Sequence, residues 1–330
     1  MQKTLTILQF EKMLTELDKN IVALQKSATD RGQNFEGEVS ELQTTRVRLL
    51  EGMYSQLSAW DQVEIARHEN RPYTLDYIRL ICDDFYELHG DRHIADDAAI
   101  VGGPAIIGGV RVMLVGQQKG RDIATRQLRN FGYSRPAGYR KALRLMKMAE
   151  KLRMPVVTLV DTPGADTQRD SEEQAISEAI ALNLWEMSVL RTPIVCGVIG
   201  EGGSGGALGI AVADRVLMLE HAIYSVIAPE GCAAILDTFG RDKNRKAEAA
   251  AALHLTASDA QKLGLIDEIL PEPLGSAHGD PETTAETLKS ALLRNLVELS
   301  AVPLETLLEQ RYQKYRGMGK FDRAEPGDLS

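Results

Sequence analysis

The residues with the clearest chemical potential are glycines. Gly200, Gly202, Gly203, Gly205 and Gly206 crowd into the stretch between the apolar run Ile194-Val195-Cys196-Gly197-Val198-Ile199 and Ala207-Leu208. Glycine takes positive φ without strain and leaves its N–H uncovered. A helix start adds N–H groups with no intrahelical partner, at the positive end of its dipole. A strand, a glycine turn and a helix start therefore build an anion site from backbone alone. The anion can be a phosphate, a cofactor pyrophosphate or an oxyanion formed during a reaction.

Two short motifs overlap in this stretch and point to unrelated chemistries. Gly200, Gly202 and Gly205 spell GxGxxG, with Glu220 near the distance of a ribose-binding acid. Against a dinucleotide site, the stretch follows at least two βα units, and the helix after it is short. Gly202, Gly203, Ser204, Gly205 and Gly206 also spell GxSxG, the nucleophile elbow of hydrolases. Such a serine needs a base oriented by a third group. His221, His254 and His278 follow it, with Asp237 or Asp267 as orienting acids, but none has a convincing companion in sequence.

Other candidates are thinner. Asp161-Thr162-Pro163-Gly164 matches the DxxG element of GTP-binding proteins, yet no GxxxxGK[ST] loop accompanies it. His89 and His93 have a helical metal spacing that Gly90 and Asp91 interrupt. Cys82, Cys196 and Cys232 are far apart and read as packing residues. No metal site is expected in this chain. What survives is a glycine turn without an acid, base or nucleophile, which suits a reaction that builds negative charge on a carbonyl oxygen.

The elements that would position this turn alternate. Phe10, Leu14, Leu17, Ile21 and Leu24 predict a helix over residues 8–28. Val39, Leu42, Leu49, Met53 and Leu57 predict a second after the break Asp30-Arg31-Gly32-Gln33-Asn34. This hairpin, assigned to residues 1–70, has too few apolar residues to fold alone. Residues 71–330 form the main domain. Tyr77 to Leu88 fit a helix stopped by Gly90. Residues 99–103, 104–109 and 111–116 read as three short strands. Helices over 137–152 and 172–190 then alternate with strands over 155–160, 194–199 and 215–219, which implies parallel βαβ units with right-handed crossovers. Helices are predicted over 230–239, 245–254, 258–263 and 283–299, with Thr256 suited to capping the third.

Composition bounds the function. The 330 residues carry a formal charge of −9, which argues against general nucleic-acid binding. Basic residues cluster around Lys119–Arg144 and Arg311–Arg323, leaving local anion binding open. With neither a signal-peptide core nor an apolar run of membrane-spanning length, a cytoplasmic protein and no membrane partner are expected.

Several segments together resemble the carboxyltransferase α subunits of multisubunit acetyl-coenzyme A carboxylases. They are Arg71-Pro72-Tyr73-Thr74-Leu75-Asp76-Tyr77-Ile78, Glu87-Leu88-His89-Gly90-Asp91-Arg92, Gln117-Gln118-Lys119-Gly120-Arg121-Asp122, Gly138-Tyr139-Arg140-Lys141-Ala142-Leu143-Arg144-Leu145-Met146, Asp161-Thr162-Pro163-Gly164-Ala165, residues 200–208, and Ser225-Val226-Ile227-Ala228-Pro229-Glu230-Gly231-Cys232-Ala233. The match runs in order to Pro271-Glu272-Pro273-Leu274-Gly275. Ser134-Arg135-Pro136-Ala137 departs from the family pattern, and the tail Phe321–Ser330 has no counterpart.

The resemblance implies an α/β crotonase-type (Clp-protease-like) fold of stacked ββα units. It implies that carboxyl carried on biotin moves to acetyl-coenzyme A, giving malonyl-coenzyme A for fatty acid biosynthesis. Carboxybiotin on the biotin carboxyl carrier protein is then a substrate, and biotin carboxylase is the ATP-binding member of the assembly. A zinc-ribbon β subunit is implied as the partner in an α2β2 tetramer. Gly205 and Gly206 match the α-subunit oxyanion donors. Lys119, Gly120, Arg121, Arg140, Gly164 and Ala165 are candidates for holding substrate or carrier.

Overall fold

The computed structural model describes residues 7–31 and 35–319. Gly32, Gln33 and Asn34 of the expected break and the tail Phe321–Ser330 lie outside the described residues. One sheet holds eight strands: β1 (Asp84–Phe85), β2 (Ile100–Ile107), β3 (Val110–Gln117), β4 (Val156–Thr162), β5 (Ile194–Gly203), β6 (Arg215–Leu219), β7 (Ile223–Ser225) and β8 (Glu268–Leu270). Their order is β1-β2-β3-β4-β5-β6-β8, with β7 paired to the far end of β5. The first three strands are antiparallel and the pairs from β3 to β8 are parallel. Every residue of β4 and β5 is buried, as continuous apolar runs in a parallel sheet require. The Pro136–Leu152 helix packs on β2 and β3, and the Pro281–Ser300 helix packs on β5 and on the Thr74–Ile81 helix.

Four expectations are corrected. The helix predicted from Tyr77 to Leu88 ends at Ile81. Beyond it the N–H groups of Asp83, Tyr86 and Leu88 donate to the carbonyls of Ile106, Pro104 and Gly102, so the segment covers the otherwise open edge of β2. The two strands expected on either side of Pro104 are one, because proline's carbonyl still accepts from Tyr86 while its missing N–H asks for no partner. Its hairpin to β3 turns at Gly108 and Gly109, both at positive φ, as a two-residue turn of this hand demands. The helix expected over 172–190 breaks at Ala175 (φ +60°) into Arg169–Glu173 and Ile176–Val189. Finally, Gly200, Gly202 and Gly203 belong to β5 itself and not to a loop.

The N-terminal hairpin consists of the Ile7–Arg31 and Glu36–Tyr54 helices. Ile7, Phe10 and Leu14 pack with Leu50 and Ile65 at its base. The Ala59–Ala66 helix buries Val63 and Ala66 against Ile223, Ala250 and Leu255 of the main body. A single carboxylate adds a polar latch: Glu11 lies 3.2 Å from His68 Nε2 and 3.0 Å from His278 Nε2, with the two rings stacked at 4.0 Å. Among the described residues this is the only group of three side chains with metal-ligating atoms close together. The Asn70 N–H donates to His68 Nδ1 at 3.2 Å, which turns Nε2 toward Glu11.

Burial raises the Glu11 carboxyl, but hydrogen bonds and charge from His278 and His68 outweigh it and hold it at about 2 instead of 4.5. Its contribution is therefore complete above pH 4.5 and is lost as pH falls toward 2. Glu11→Ala is expected to speed hydrogen exchange in the Ile7–Arg31 helix about tenfold, from the loss of roughly 1–2 kcal/mol, with body strands unaffected. Unchanged exchange would remove the latch.

At the other end of the chain the Leu304–Arg316 helix, absent from the expectations, carries a buried arginine. All five guanidinium donors of Arg311 are used. Two reach the Asp214 carboxylate at 2.8 and 2.7 Å, and three reach the carbonyls of Met187, Leu190 and Thr192. Asp214 in turn accepts the Ile194 N–H at 2.7 Å, which fixes the start of β5.

Candidate active site

The site is built where β4 and β5 end. Val160 pairs with Val198, but Thr162 pairs with Gly202, so β5 bulges outward between the two pairs. Asp161 fills the bulge: its Oδ1 accepts the Glu201 N–H at 3.0 Å and lies 2.7 Å from Lys119 Nζ. Glu201 grips Lys119 at 3.2 Å and Arg67 at 2.6 Å, and Arg67 extends to Glu230 at 2.7 Å. Burial lowers the Lys119 ammonium's affinity for its proton, but Asp161 and Glu201 outweigh it and hold the pKa above its usual value. Burial likewise raises Glu201, and Lys119 and Arg67 outweigh it downward. Alternating charges thus stiffen the end of the sheet.

Past Gly203 the chain turns through Ser204 (φ +51°) into the short Ser204–Leu208 helix. The N–H groups of Ser204, Gly205 and Gly206 fall in its first turn, where no intrahelical acceptor exists. The two key glycines face different surroundings. A Cβ on Gly206 would lie 2.4 Å from the Gly164 carbonyl carbon and from the Ala165 nitrogen. A Cβ on Gly205 would meet nothing nearer than Ile180 Cδ1 at 3.9 Å. Gly206 is glycine because another backbone segment presses on it, whereas Gly205 faces space. Gly205 also borders a cavity of about 290 Å³ lined mainly by apolar atoms, with Ser204, Leu208, Tyr224, Val226 and Tyr315.

Of the other sequence candidates, the structure brings Gly164 and Ala165 against this turn, and Arg121 and Arg140 bond to other segments. Gly164 and Ala165 form the turn's floor. Lys119 and Gly120 border a second cavity of about 250 Å³ with Arg67, Tyr73, Pro163 and Glu201. Arg121 stacks 4.4 Å over the Tyr73 ring and pairs with Asp76. Arg140 donates to the Gln174 carbonyl at 2.6 Å.

Neither competing motif acquires its partners. Ser204 has the strained turn of a nucleophile elbow, but the histidines are engaged elsewhere. His221 stacks edge-on with Tyr54 at 5.4 Å, His254 lies 3.9 Å from Asp259, and His278 faces Glu11. Gly200 and Gly202 are glycines for packing, since a Cβ there would meet Asp161 at 2.6 Å and Tyr224 at 2.7 Å. Glu220 accepts the Glu272 N–H at 3.1 Å beside β8 and faces no turn. His89 pairs with Asp96 at 3.1 Å on a non-helical segment.

Asp161, Glu201 and Arg67 were not singled out for the site from the sequence. Their signal was a charge set at the end of an otherwise apolar strand, Asp161 after Val156–Val160 and Glu201 after Ile194–Ile199.

Residues 7–319 match the family model described as acetyl co-enzyme A carboxylase carboxyltransferase-like. The chain is 51% identical over 318 residues to the acetyl-coenzyme A carboxylase carboxyl transferase subunit alpha of Methylococcus capsulatus, covering 96% of this chain and 98% of that one. It is 53% identical over 314 residues to the protein of the same name from Geobacter metallireducens, covering 95% and 98%.

Solved structures share the fold at low identity. The β subunit of Pseudomonas aeruginosa geranyl-CoA carboxylase superposes with TM-score 0.55 at 17% identity, over 75% of this chain and 46% of that one. A Pseudomonas malonate decarboxylase hetero-tetramer in complex with coenzyme A gives 0.57 at 15%, over 73% and 94%. The expected crotonase-type α/β fold is therefore the one adopted, and the chain belongs to the acetyl-coenzyme A carboxylase carboxyltransferase family.

Proposed function

We propose that this chain is the α subunit of a carboxyltransferase that moves the carboxyl group from carboxybiotin to acetyl-coenzyme A, yielding malonyl-coenzyme A. The observation that carries the reading is a first-turn pair of glycine N–H groups, Gly205 bordering a cavity, with no nucleophile–base pair beside it. The chemistry asks for little else. Loss of carbon dioxide from carboxybiotin breaks the N–C bond and leaves its electron pair on the ureido group. That anion takes a proton from the acetyl methyl group, and the resulting enolate adds to the carbon dioxide. The protein orients the substrates and stabilises two oxyanions. Here the N–H groups of Gly205 and Gly206 face the ureido oxygen.

The thioester oxyanion falls to the partner. A zinc-ribbon β subunit would complete the site in an α2β2 tetramer, receiving biotin on its carrier protein from biotin carboxylase. Exposed Trp185 and Leu182 on the Ile176–Val189 helix, which passes Gly205 at Ile180, offer that partner an apolar contact. Lys119, Gly120, Arg121 and Arg140 remain candidates for holding substrate or carrier.

Mixing the purified chain with a zinc-ribbon partner, free biotin and malonyl-coenzyme A is expected to give biotin-dependent decarboxylation, and the chain alone none. A demonstrably assembled but inactive complex would overturn the reading. Labelling of Ser204 by a fluorophosphonate would favour a hydrolase instead.

A further inference from the structure

A pair of adjacent glycines is the softest backbone a protein can offer, since no Cβ restricts φ and ψ. Preorganised donors contribute to catalysis only if they are fixed before the charge develops. Something outside residues 204–208 must therefore hold the turn. The Gly206 carbonyl shows what does. Gln117 Nε2, at the end of β3, donates to it at 2.8 Å, and the Tyr139 hydroxyl, from the Pro136–Leu152 helix, donates at 3.0 Å. Two donors occupy both lone pairs of one carbonyl. Gln117 and Tyr139 are both fully buried.

Each donor is held in turn. Gln117 Oε1 accepts the Asp161 N–H at 3.2 Å, and its carbonyl accepts the Thr74 hydroxyl at 2.6 Å. The backbone of Tyr139 is tied to the next turn of the site by Asn183, whose Nδ2 donates to the Tyr139 and Gly209 carbonyls at 3.1 and 2.8 Å. The Tyr139 ring lies where a Cβ on Gly209 would be, 2.5 Å from it. Burial also raises the Tyr139 hydroxyl above its usual pKa, so it remains a donor across the working range.

We infer that Gln117 and Tyr139 are positioning residues that clamp the Gly206 carbonyl from two elements and so orient the Gly205–Gly206 donors. The inference rests on the oxyanion reading of the preceding section. Neither side chain touches substrate. Both act through the peptide that follows Gly206, by setting its plane against β3 and the Pro136–Leu152 helix.

The test uses the full chain assembled with its partner subunit and follows biotin-dependent decarboxylation of malonyl-coenzyme A. Tyr139→Phe keeps the ring and removes the donor, and Gln117→Met keeps the length and removes it. Each is expected to lower kcat about tenfold, and the double variant about a hundredfold, with KM for malonyl-coenzyme A within twofold. Gln117→Glu donates only when its buried carboxyl is protonated, so its kcat relative to the unsubstituted complex should fall as pH rises. A purely structural role would change the melting temperature without that pH dependence.

If the clamp variants retain kcat while Gly205→Val is inactive, the inference is overturned and the oxyanion reading stands. If Gly205→Val also turns over normally, the oxyanion reading itself is lost. If a clamp variant fails to assemble, the other variant and the Gln117→Glu pH profile decide.

Discussion

Gly205→Val is expected to lower turnover of the assembled complex by about 10²–10³-fold, the range for an oxyanion donor that the substrate no longer reaches. The side chain screens an N–H that the substitution itself leaves in place; folding and assembly should stay intact. The added Cβ would meet no atom nearer than Ile180 Cδ1 at 3.9 Å. On the proposed oxyanion reading the side chain would obstruct the approach of the substrate oxygen, while its Cβ is accommodated without a clash. Gly206→Ala should fail differently. Its Cβ would press at 2.4 Å on the Gly164–Ala165 backbone, which cannot rotate away as a side chain would. Relief requires the floor of the site to move, at about 1–3 kcal/mol in stability as well as lost activity. Melting curves and kcat measured on both variants separate these outcomes. Equal melting losses would mean that Gly205 is packed after all, and normal turnover in Gly205→Val would remove its N–H from the mechanism.

The second large effect is expected in the support beneath the β5 bulge. Arg71 and Glu272 form a fully buried pair, joined at 2.6 and 3.0 Å, and Arg71 Nε also donates to the Ile199 carbonyl within the β5 bulge. Glu272 further accepts from Ser276, Ala277 and His221. Arg71→Met leaves that carboxylate buried without its cation, a loss of about 3–5 kcal/mol, comparable with much of a domain's total stability. Chemical denaturation should show it as a large drop in midpoint. The double variant Arg71→Met, Glu272→Gln should recover part of the loss, because no charge is then stranded. A single variant as stable as the unsubstituted chain would refute this account. Burial raises the Glu272 carboxyl, but Arg71 outweighs it and holds the pKa at about 2 against 4.5. The pair therefore contributes fully above pH 4.5, and that stability drains away as pH falls toward 2.

The parallel half of the sheet was legible because β4 and β5 are mostly apolar runs buried on both faces, and the Pro136–Leu152 helix that leads into β4 carries a clear stripe. Phe85 and Leu88 misled for a physical reason. Their spacing suits a helix, but the free edge of β2 takes up the backbone N–H groups of Asp83, Tyr86 and Leu88, and no local pattern records that demand. Ala175, a good helix former, sits at φ +60° because the chain must change direction before the Ile176–Val189 helix. The short helix after Gly203 was legible, and the bulged strand before it was not. That strand's shape depends on Asp161 and Lys119, which reach it across the sheet from β4 and from the residues after β3. Gln117 and Tyr139 stood within the quoted segments, yet their convergence on one carbonyl is a property of the fold alone.

Time enters through Arg311. The carboxylate it neutralises, Asp214, is synthesised 97 residues earlier. At about 5–20 residues per second, the ribosome takes roughly 5–20 s to cover that interval. Throughout it the strand bearing the glycine turn exists without the guanidinium that pins its origin, and Asp214 lacks that buried countercharge. The nascent chain thus passes through a window in which its most apolar strands are made but not yet secured. A ribosome-stalled chain ending before Arg311 should be cut by protease near β5, whereas one extended beyond it should resist.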